Sequence, residues 1–208
     1  MARVQAWRPF TRRRGDSINY QCFAQLSQIP TFTPMDIEDA IALIRHTPAH
    51  AGAPTVWADL GCGTGTFTYA LAHLLETGST IYAFDKERPR LAGLPNPRQV
   101  IIKPGQLDFL EDDLPVSELN GILMANSLHY VPRKPAFIDK IARHLQPDGV
   151  FLIVEYETSR ANPWVPYPVP FQALKTLFHE AGFTSAGRLN EIPSLYGSGH
   201  MYAALFRR

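Results

Sequence analysis

Three glycines at alternate positions, Gly61, Gly63 and Gly65, separate a short apolar segment from a segment with the apolar periodicity of a helix. Glycine permits a tight bend and lets a ligand approach the backbone where a Cβ atom would clash. Asp59 precedes the first glycine, and Asp85 ends the next apolar segment, about twenty residues after the last glycine. A carboxylate at that spacing can accept hydrogen bonds from the two hydroxyls of a ribose. The pattern therefore predicts a site for a ligand that contains a nucleoside.

Other nucleotide-binding turns do not fit this segment. The dinucleotide motif G-x-G-x-x-G ends in glycine or alanine, whereas Thr66 or Thr68 occupies that end position here. No Gly-Lys-Ser/Thr sequence follows the turn, which excludes a P-loop. A glycine turn alone is also compatible with a strand-to-helix connection that binds nothing, and the placement of Asp59 and Asp85 argues against that alternative.

The pattern Asp59-x-Gly61-x-Gly63-x-Gly65, followed by Asp85, resembles the class I S-adenosylmethionine-dependent methyltransferases. The resemblance extends from about Pro54 to the C-terminus. It implies S-adenosyl-L-methionine as the cofactor and a Rossmann-like α/β fold, in which a mostly parallel seven-stranded sheet has helices on both faces and a C-terminal antiparallel hairpin.

The same resemblance implies which residues bind each part of the cofactor. The cofactor-binding residues would be Asp59, Gly61, Cys62, Gly63, Gly65, Asp85, Lys86, Asp108, Phe109 and Asn126. The turn would line the methionine end, Asp85 would bind the ribose, and Asn126 would border the sulfonium. Asp108 and the backbone N–H of Phe109 would bind the adenine, which Lys86 could border. A simpler alternative to a role at the adenine is that Lys86 and Asp108 are solvated surface charges.

The segment Asn126-Ser-Leu-His-Tyr130 supplies candidates for the acceptor side of the site. Histidine is the side chain that ordinarily ionises near neutral pH, so His129 could remove a proton from an acceptor. Tyr130 and, from the N-terminal segment, Tyr20 are the other candidate catalytic residues. The alternative for His129 is that it only packs or binds a loop carbonyl.

Strand and helix patterns alternate along the chain, which predicts a parallel sheet covered on both faces. Strands are predicted over 55–60, 80–84, 99–103, 121–125 and 150–155, with 183–189 and 200–206 as the hairpin. Four helices are predicted. The first covers 34–46 with Thr33 as its cap, the second follows the glycine turn, the third covers 134–145, and the fourth runs from Pro170 to a cap at Gly182. Gln146-Pro-Asp-Gly149 is expected to end the third of these helices, and 85–100 to contain only a short one.

Composition narrows the class of protein. A chain of 208 residues with 45% apolar content fits one globular domain, and a net charge of +1 gives no global attraction to nucleic acid or membrane. Five arginines precede the first acidic residue, Asp16, and a solvated tail is favoured over a phosphate-binding arm. We therefore divide the chain into an N-terminal arm and lid segment, 1–33, and a single cofactor-binding domain, 34–208.

Two cysteines, Cys22 and Cys62, cannot make a disulfide framework, and no motif has recognisable metal-ligand spacing, so no metal is predicted. No apolar run reaches transmembrane length and no signal peptide is evident. The expected location is the cytoplasm.

The sequence therefore predicts methyl transfer to a small aromatic or apolar acceptor. Aromatic residues between prolines, such as Trp164 and Tyr167, could form its pocket or could simply cover the core. Two alternatives stay open: an RNA or protein methyltransferase that docks through the arginine-rich arm, and a non-catalytic module that binds S-adenosylmethionine.

Overall fold

The computed structural model describes residues 35–47, 52–194 and 199–208. The described strands are β1 Val56–Leu60, β2 Thr80–Asp85, β3 Ile101–Gln106, β4 Leu119–Ala125, β5 Leu145–Tyr156, β6 Ser185–Pro193 and β7 His200–Arg207. The described helices are α1 Ile37–Ile44, α2 Thr66–Ala72, α3 Lys134–Ala142 and α4 Phe171–Glu180, with a short 3-10 helix at Leu128–Tyr130.

All seven strands belong to one sheet with the order β3-β2-β1-β4-β5-β7-β6. The first five strands are parallel, and β7 is antiparallel to both β5 and β6. The prediction of a mostly parallel seven-stranded sheet closed by an antiparallel hairpin is confirmed. The strand order reverses between β1 and β4, and ligands of open α/β sheets bind beyond the carboxyl ends of the strands at such a point.

The apolar core covers both faces of the sheet. Along β5, Phe151 and Ile153 belong to a cluster with side chains of α3 and α4. Leu152 and Val154, which point to the opposite face, belong to a cluster with side chains of α1 and α2. This double burial explains why β5 reads as a nearly continuous apolar run, and it holds the carboxyl ends of the central strands in fixed positions.

Helix α1 begins later than the sequence predicts. Asp36 is its N-cap, since the carboxylate accepts a hydrogen bond of 2.9 Å from the Glu38 N–H. The helix therefore starts at Ile37 rather than at Pro34 and ends at Ile44. The predicted cap, Thr33, lies outside the described residues.

The predicted end of α3 is wrong. The helix ends at Ala142, and Leu145 already belongs to β5, where it pairs with Leu119. Gln146-Pro-Asp-Gly149 therefore lies within the long strand instead of ending a helix. The pairing with β4 shifts register between Leu119 and Gly121, so this part of β5 is irregular and carries turn-type residues.

The short helix expected within 85–100 does not occur among these described residues. Instead Asn96 closes a loop, because its side chain accepts a hydrogen bond from the Val100 N–H and donates one to the Val100 carbonyl, at 3.1 and 2.8 Å. Proline lacks the N–H that a helix needs, and the prolines of this segment favour such a loop. Strand β3 consequently starts at Ile101 and runs on to Gln106.

Two strand glycines offer a matched test of the core. A Cβ atom on Gly121 of β4 would lie 2.2 Å from Cζ3 of Trp57, which is fully buried, whereas one on Gly187 of β6 would meet nothing within 4 Å. We expect Gly121→Ala to lower the free energy of unfolding by about 1–3 kcal/mol through overpacking. Gly187→Ala should change it by less than about 0.5 kcal/mol. Urea unfolding would measure both, and equal effects would contradict the packing of Trp57 against β4.

Candidate active site

The glycine turn that follows β1 is anchored to both neighbouring strands. The N–H groups of Gly61 and Cys62 donate to the carbonyl of Phe84 at the end of β2, at 2.8 and 3.0 Å. Gly61 has φ +84°, and a Cβ atom there would lie 2.6 Å from Cβ of Ser127, which follows β4. The Ser127 hydroxyl donates to the Leu60 carbonyl at 2.6 Å. The turn is therefore held in one position beside the point where the strand order reverses.

Gly63 and Asp85 meet across this turn. Gly63 has φ +54°, and a Cβ atom on it would have no neighbour within 4 Å among the described residues, which leave the space in front of its backbone open. Its N–H donates to Oδ2 of Asp85 at 2.9 Å, while Oδ1 accepts from the Glu87 N–H at 3.1 Å. Gly65, with φ +89°, is the N-cap of α2. The half-buried Asp85 thus borders an open backbone surface.

Two buried polar oxygens beside the turn have no hydrogen-bond partner among the described residues. One is Oδ1 of Asp59, whose other oxygen accepts from the Thr68 hydroxyl at 2.6 Å. Burial raises the pKa of Asp59 to about 7. The second is Oδ1 of Asn126, which has a left-handed backbone with φ +53° and an N–H bonded to the Val154 carbonyl at 2.9 Å. Buried acceptors of this kind normally have a donor, and a bound ligand can supply one.

Cys62 is buried inside the turn, and burial raises the pKa of its thiol. This thiol is therefore not a ready nucleophile. Lys86 is exposed, and its carbonyl accepts from the Gln106 amide at 3.0 Å.

Asp108 and Phe109 form a turn after β3. The Asp108 carboxylate accepts from the Leu110 N–H at 3.0 Å, and the Asp108 N–H donates to Asp112 at 2.9 Å. The Phe109 ring is buried, with its centroid 5.6 Å from that of Phe137, and no described residue accepts from its N–H. This turn reaches the glycine turn, because a Cβ atom on Gly61 would lie 3.5 Å from the Phe109 ring.

His129 lies in the 3-10 helix after β4 and is held by Glu155 near the end of β5. Oε1 of Glu155 accepts from the His129 backbone N–H at 2.9 Å, and Oε2 lies 2.7 Å from Nδ1 of the ring. The two side chains are only 3% and 1% exposed. Sequence reasoning missed Glu155 as a site residue. The signal that could have found it is an acidic residue inside an otherwise apolar strand.

Tyr130, the second candidate on the acceptor side, is 45% exposed, and its ring centroid lies 4.4 Å from that of His129. Partial burial, with the charge of Glu155, raises the pKa of the Tyr130 hydroxyl. A tyrosine with a raised pKa stays protonated, so Tyr130 can donate a hydrogen bond but is a poor base. Tyr20 lies outside the described residues.

A loop that precedes α4 is fixed against the His129 segment through Tyr167. The Tyr167 N–H donates to the His129 carbonyl at 3.0 Å, and the Tyr167 carbonyl accepts from Nζ of Lys134 at 2.7 Å. Lys134 also donates to the Val131 carbonyl at 3.0 Å, and burial lowers the pKa of its ammonium. On the same loop Trp164 is 79% exposed. The backbone of this loop is thus fixed to the His129 segment at Tyr167.

Within the described ranges, no group of three or more His, Cys, Asp or Glu side chains is arranged to hold a metal ion. None of the described helices is long and apolar enough to cross a membrane.

Comparison with known proteins identifies the family. Residues 36–186 match the family described as a methyltransferase domain, and this match covers most of the chain. The protein therefore belongs to that family and is a class I S-adenosylmethionine-dependent methyltransferase, with S-adenosylmethionine as its cofactor. No protein of curated function matches the sequence significantly.

Solved structures share this fold. A 1,6-didemethyltoxoflavin-N1-methyltransferase from Burkholderia thailandensis, solved with 1,6-didemethyltoxoflavin and S-adenosylhomocysteine, is 26% identical over 83% of this chain and 77% of its own, with a TM-score of 0.60. The YcgJ protein of Bacillus subtilis is 13% identical over 82% of this chain and 98% of its own, with a TM-score of 0.62. A SAM-dependent methyltransferase from Aquifex aeolicus is 14% identical over 84% and 99%, with a TM-score of 0.56.

Proposed function

We propose that this methyltransferase transfers the methyl group of S-adenosylmethionine to a small aromatic or apolar acceptor, with His129 as the acceptor-side base. The observation that carries the proposal is the placement of His129. It follows β4 at the point of strand-order reversal, three residues after Asn126 in the sequence, and its ring lies beside the exposed ring of Tyr130. A base beside an aromatic surface suits a planar acceptor that loses a proton when it is methylated.

The cofactor is proposed to lie across the glycine turn. Two observations support this assignment: the open backbone surface at Gly63, and the buried oxygens of Asp59 and Asn126 that have no partner in the described part of the chain. In this proposal Asp59 accepts a hydrogen bond from the methionine ammonium, Asp85 accepts from the ribose, and the turn after β3 contacts the adenine through Asp108 and the Phe109 N–H. When bound, the cofactor supplies a methyl group activated by the sulfonium.

The residues of the chain then have to position and deprotonate the acceptor. Holding two reactants in line can supply roughly 7–11 kcal/mol of barrier reduction, and a positioned base adds roughly 10²–10⁴-fold. Tyr130 and the loop residues Trp164 and Tyr167 are proposed to orient the acceptor ring and keep water away. His129 takes the proton that the acceptor loses.

Turnover with a defined acceptor tests the proposal. Purified protein would be incubated with methyl-labelled S-adenosylmethionine and either 1,6-didemethyltoxoflavin, the ligand of the similar solved structure, or bulk transfer RNA. Label in the small molecule, with stoichiometric S-adenosylhomocysteine, is the expected result. Label in RNA alone would overturn the proposal in favour of docking through the arginine-rich arm. The division at 33/34 and the cytoplasmic location stay predictions from the sequence.

Asp85→Asn is expected to weaken S-adenosylhomocysteine binding about 10- to 150-fold. The amide keeps the size of the side chain and can still accept from the Gly63 N–H, but it loses the charge that strengthens a hydrogen bond to ribose, worth roughly 1.5–3 kcal/mol. Calorimetry would measure the affinity. Asp148→Asn, an exposed acid near the start of β5, is the control. Unchanged affinity in a folded Asp85→Asn protein would remove the ribose assignment.

Trp164→Ala and Tyr167→Ala should raise KM for the small acceptor about tenfold or more each, because each removes a large apolar contact worth roughly 1.5–3 kcal/mol. Both backbone hydrogen bonds of Tyr167 survive the change, so the loop keeps its anchor. Deletion of residues 1–14 should matter little with the same acceptor. For an enzyme that acts on RNA, the two substitutions should have small effects, whereas the deletion should cause a large loss of activity. RNA binding through the arm should also depend strongly on salt.

A further inference from the structure

We infer that Glu155 is the positioning residue of His129: it fixes the ring proton on Nδ1 and leaves Nε2 free to take a proton, so that the acceptor is a hydroxyl or a ring N–H. This inference rests on the proposed function and narrows its class of substrate. Glu155 itself is not proposed to touch the acceptor.

The contacts of the carboxylate determine the tautomer. Both oxygens of Glu155 face the same residue, with Oε1 on the backbone N–H of His129 at 2.9 Å and Oε2 2.7 Å from Nδ1. An ionised carboxylate can only accept hydrogen bonds, so Nδ1 must donate. In a neutral imidazole the other nitrogen then carries the lone pair. The two bonds also fix the ring in rotation.

A backbone N–H donor and a positive charge lie near the Glu155 carboxylate. The carboxylate is 1% exposed and would be costly to charge alone, but it accepts from the backbone N–H of His129 at 2.9 Å. Burial lowers the pKa of the Lys134 ammonium, and the nearby charge of Glu155 partly opposes this lowering. Lys134 is therefore close enough to Glu155 to interact with its charge.

Nε2 is the ring nitrogen that would take the proton of the acceptor. None of the described residues is hydrogen bonded to Nε2 of His129. The ring centroid lies 4.4 Å from that of Tyr130 and 6.2 Å from that of Tyr156. Among the described residues, this arrangement differs from that of a core histidine, in which both nitrogens have protein partners.

The proton balance of methyl transfer then defines the acceptor. The nucleophilic atom forms its bond to the methyl carbon while its proton passes to Nε2, and the electron pair of the broken carbon–sulfur bond remains on sulfur. The positive charge of the sulfonium thus ends on the imidazole, where the carboxylate of Glu155 stabilises it. An acceptor without a dissociable proton, such as a tertiary amine, would gain nothing from this pair.

Nuclear magnetic resonance of the resting protein tests the tautomer directly. Long-range ¹H–¹⁵N correlation spectra would be recorded on histidine-labelled protein with S-adenosylhomocysteine, and His129 would be assigned by loss of its signals in His129→Asn. We expect a protonated Nδ1 and an unprotonated Nε2 in the wild type. In Glu155→Gln the amide can donate to Nδ1, which should move the proton to Nε2. A proton on Nε2 in the wild type would overturn the inference, and this result does not depend on whether the variant folds. A spectrum that Glu155→Gln leaves unchanged would overturn it as well.

Turnover provides the second measurement, with 1,6-didemethyltoxoflavin as the probe. Glu155→Gln should lower kcat at least 100-fold while calorimetry shows unchanged affinity for S-adenosylhomocysteine. Glu191→Gln on β6, whose carboxylate instead contacts Arg188 and has no place in the proposed site, is the control and should keep kcat within about twofold. Equal losses of kcat in the two variants would overturn the inference. Absence of turnover in the wild type would count against the proposed function alone, because the tautomer is read without an acceptor.

Discussion

Replacement of His129 by asparagine is expected to lower kcat by about 10²–10⁴-fold, the range that a positioned general base contributes. The asparagine amide can take the place of Nδ1 and donate to Glu155, so the buried carboxylate keeps a partner and the fold is preserved. The change removes the basic nitrogen alone. Affinity for S-adenosylhomocysteine should stay within about twofold, since the role of His129 exists only when the acceptor is bound.

A second histidine provides the control for this experiment. Nδ1 of His144 lies 2.7 Å from the Val116 carbonyl and has no place in the proposed site. His144→Asn should therefore keep wild-type kcat. If His129→Asn also keeps it, either Tyr20 takes the proton or no side chain does, and in the second case proximity alone accounts for the rate.

Asp59 is expected to make the stability of the protein depend on pH. Burial raises its pKa from 3.8 to about 7 in the folded protein, so the folded state binds this proton more tightly than the unfolded state does. The stability from this group is fully present below pH 3.8 and is lost as the pH rises toward 7. The loss amounts to about 1.4 kcal/mol for each pH unit, or on the order of 4 kcal/mol in all.

Urea unfolding of the wild type and Asp59→Asn between pH 5 and 8 would measure this effect. The variant cannot ionise at this position, so its stability relative to the wild type should rise with pH across the interval and level off above about pH 7. Asp148→Asn, at an exposed position, should give a difference that does not vary with pH. A constant difference for Asp59→Asn would contradict the burial of its carboxylate, one oxygen of which has no partner within the described ranges.

The elements around the turn could be predicted because their signals are local. Gly61, Gly63 and Gly65 stand within one turn, and positive φ values at all three explain why this spacing needs glycine. Asp85 could be predicted because a parallel neighbour of β1 must end at the same edge of the sheet. The structure places it 2.9 Å from the Gly63 N–H, measured from Oδ2.

The remaining features depend on contacts between distant segments. Glu155 pairs with His129 because β4 and β5 are adjacent, and a single sequence does not reveal which side chains meet across two strands. The sequence mispredicts where α3 ends and where β5 begins for a related reason. Leu145 fits the apolar face of a helix, but pairing with Leu119 makes it the first residue of a strand. Tertiary pairing overrides local periodicity there.

The loop between Glu157 and Tyr167 is held at both ends by residues outside it. Glu157 accepts from the Phe171 N–H at 3.2 Å and pairs with Arg188 of β6, while Tyr167 is bonded to His129 and Lys134. A loop with anchored ends can change in sequence or length without disturbing the sheet that supports it. This loop can therefore be replaced as a unit. Under the proposed function, changes in its sequence would alter the acceptor specificity of the enzyme without changing the turn that binds the cofactor.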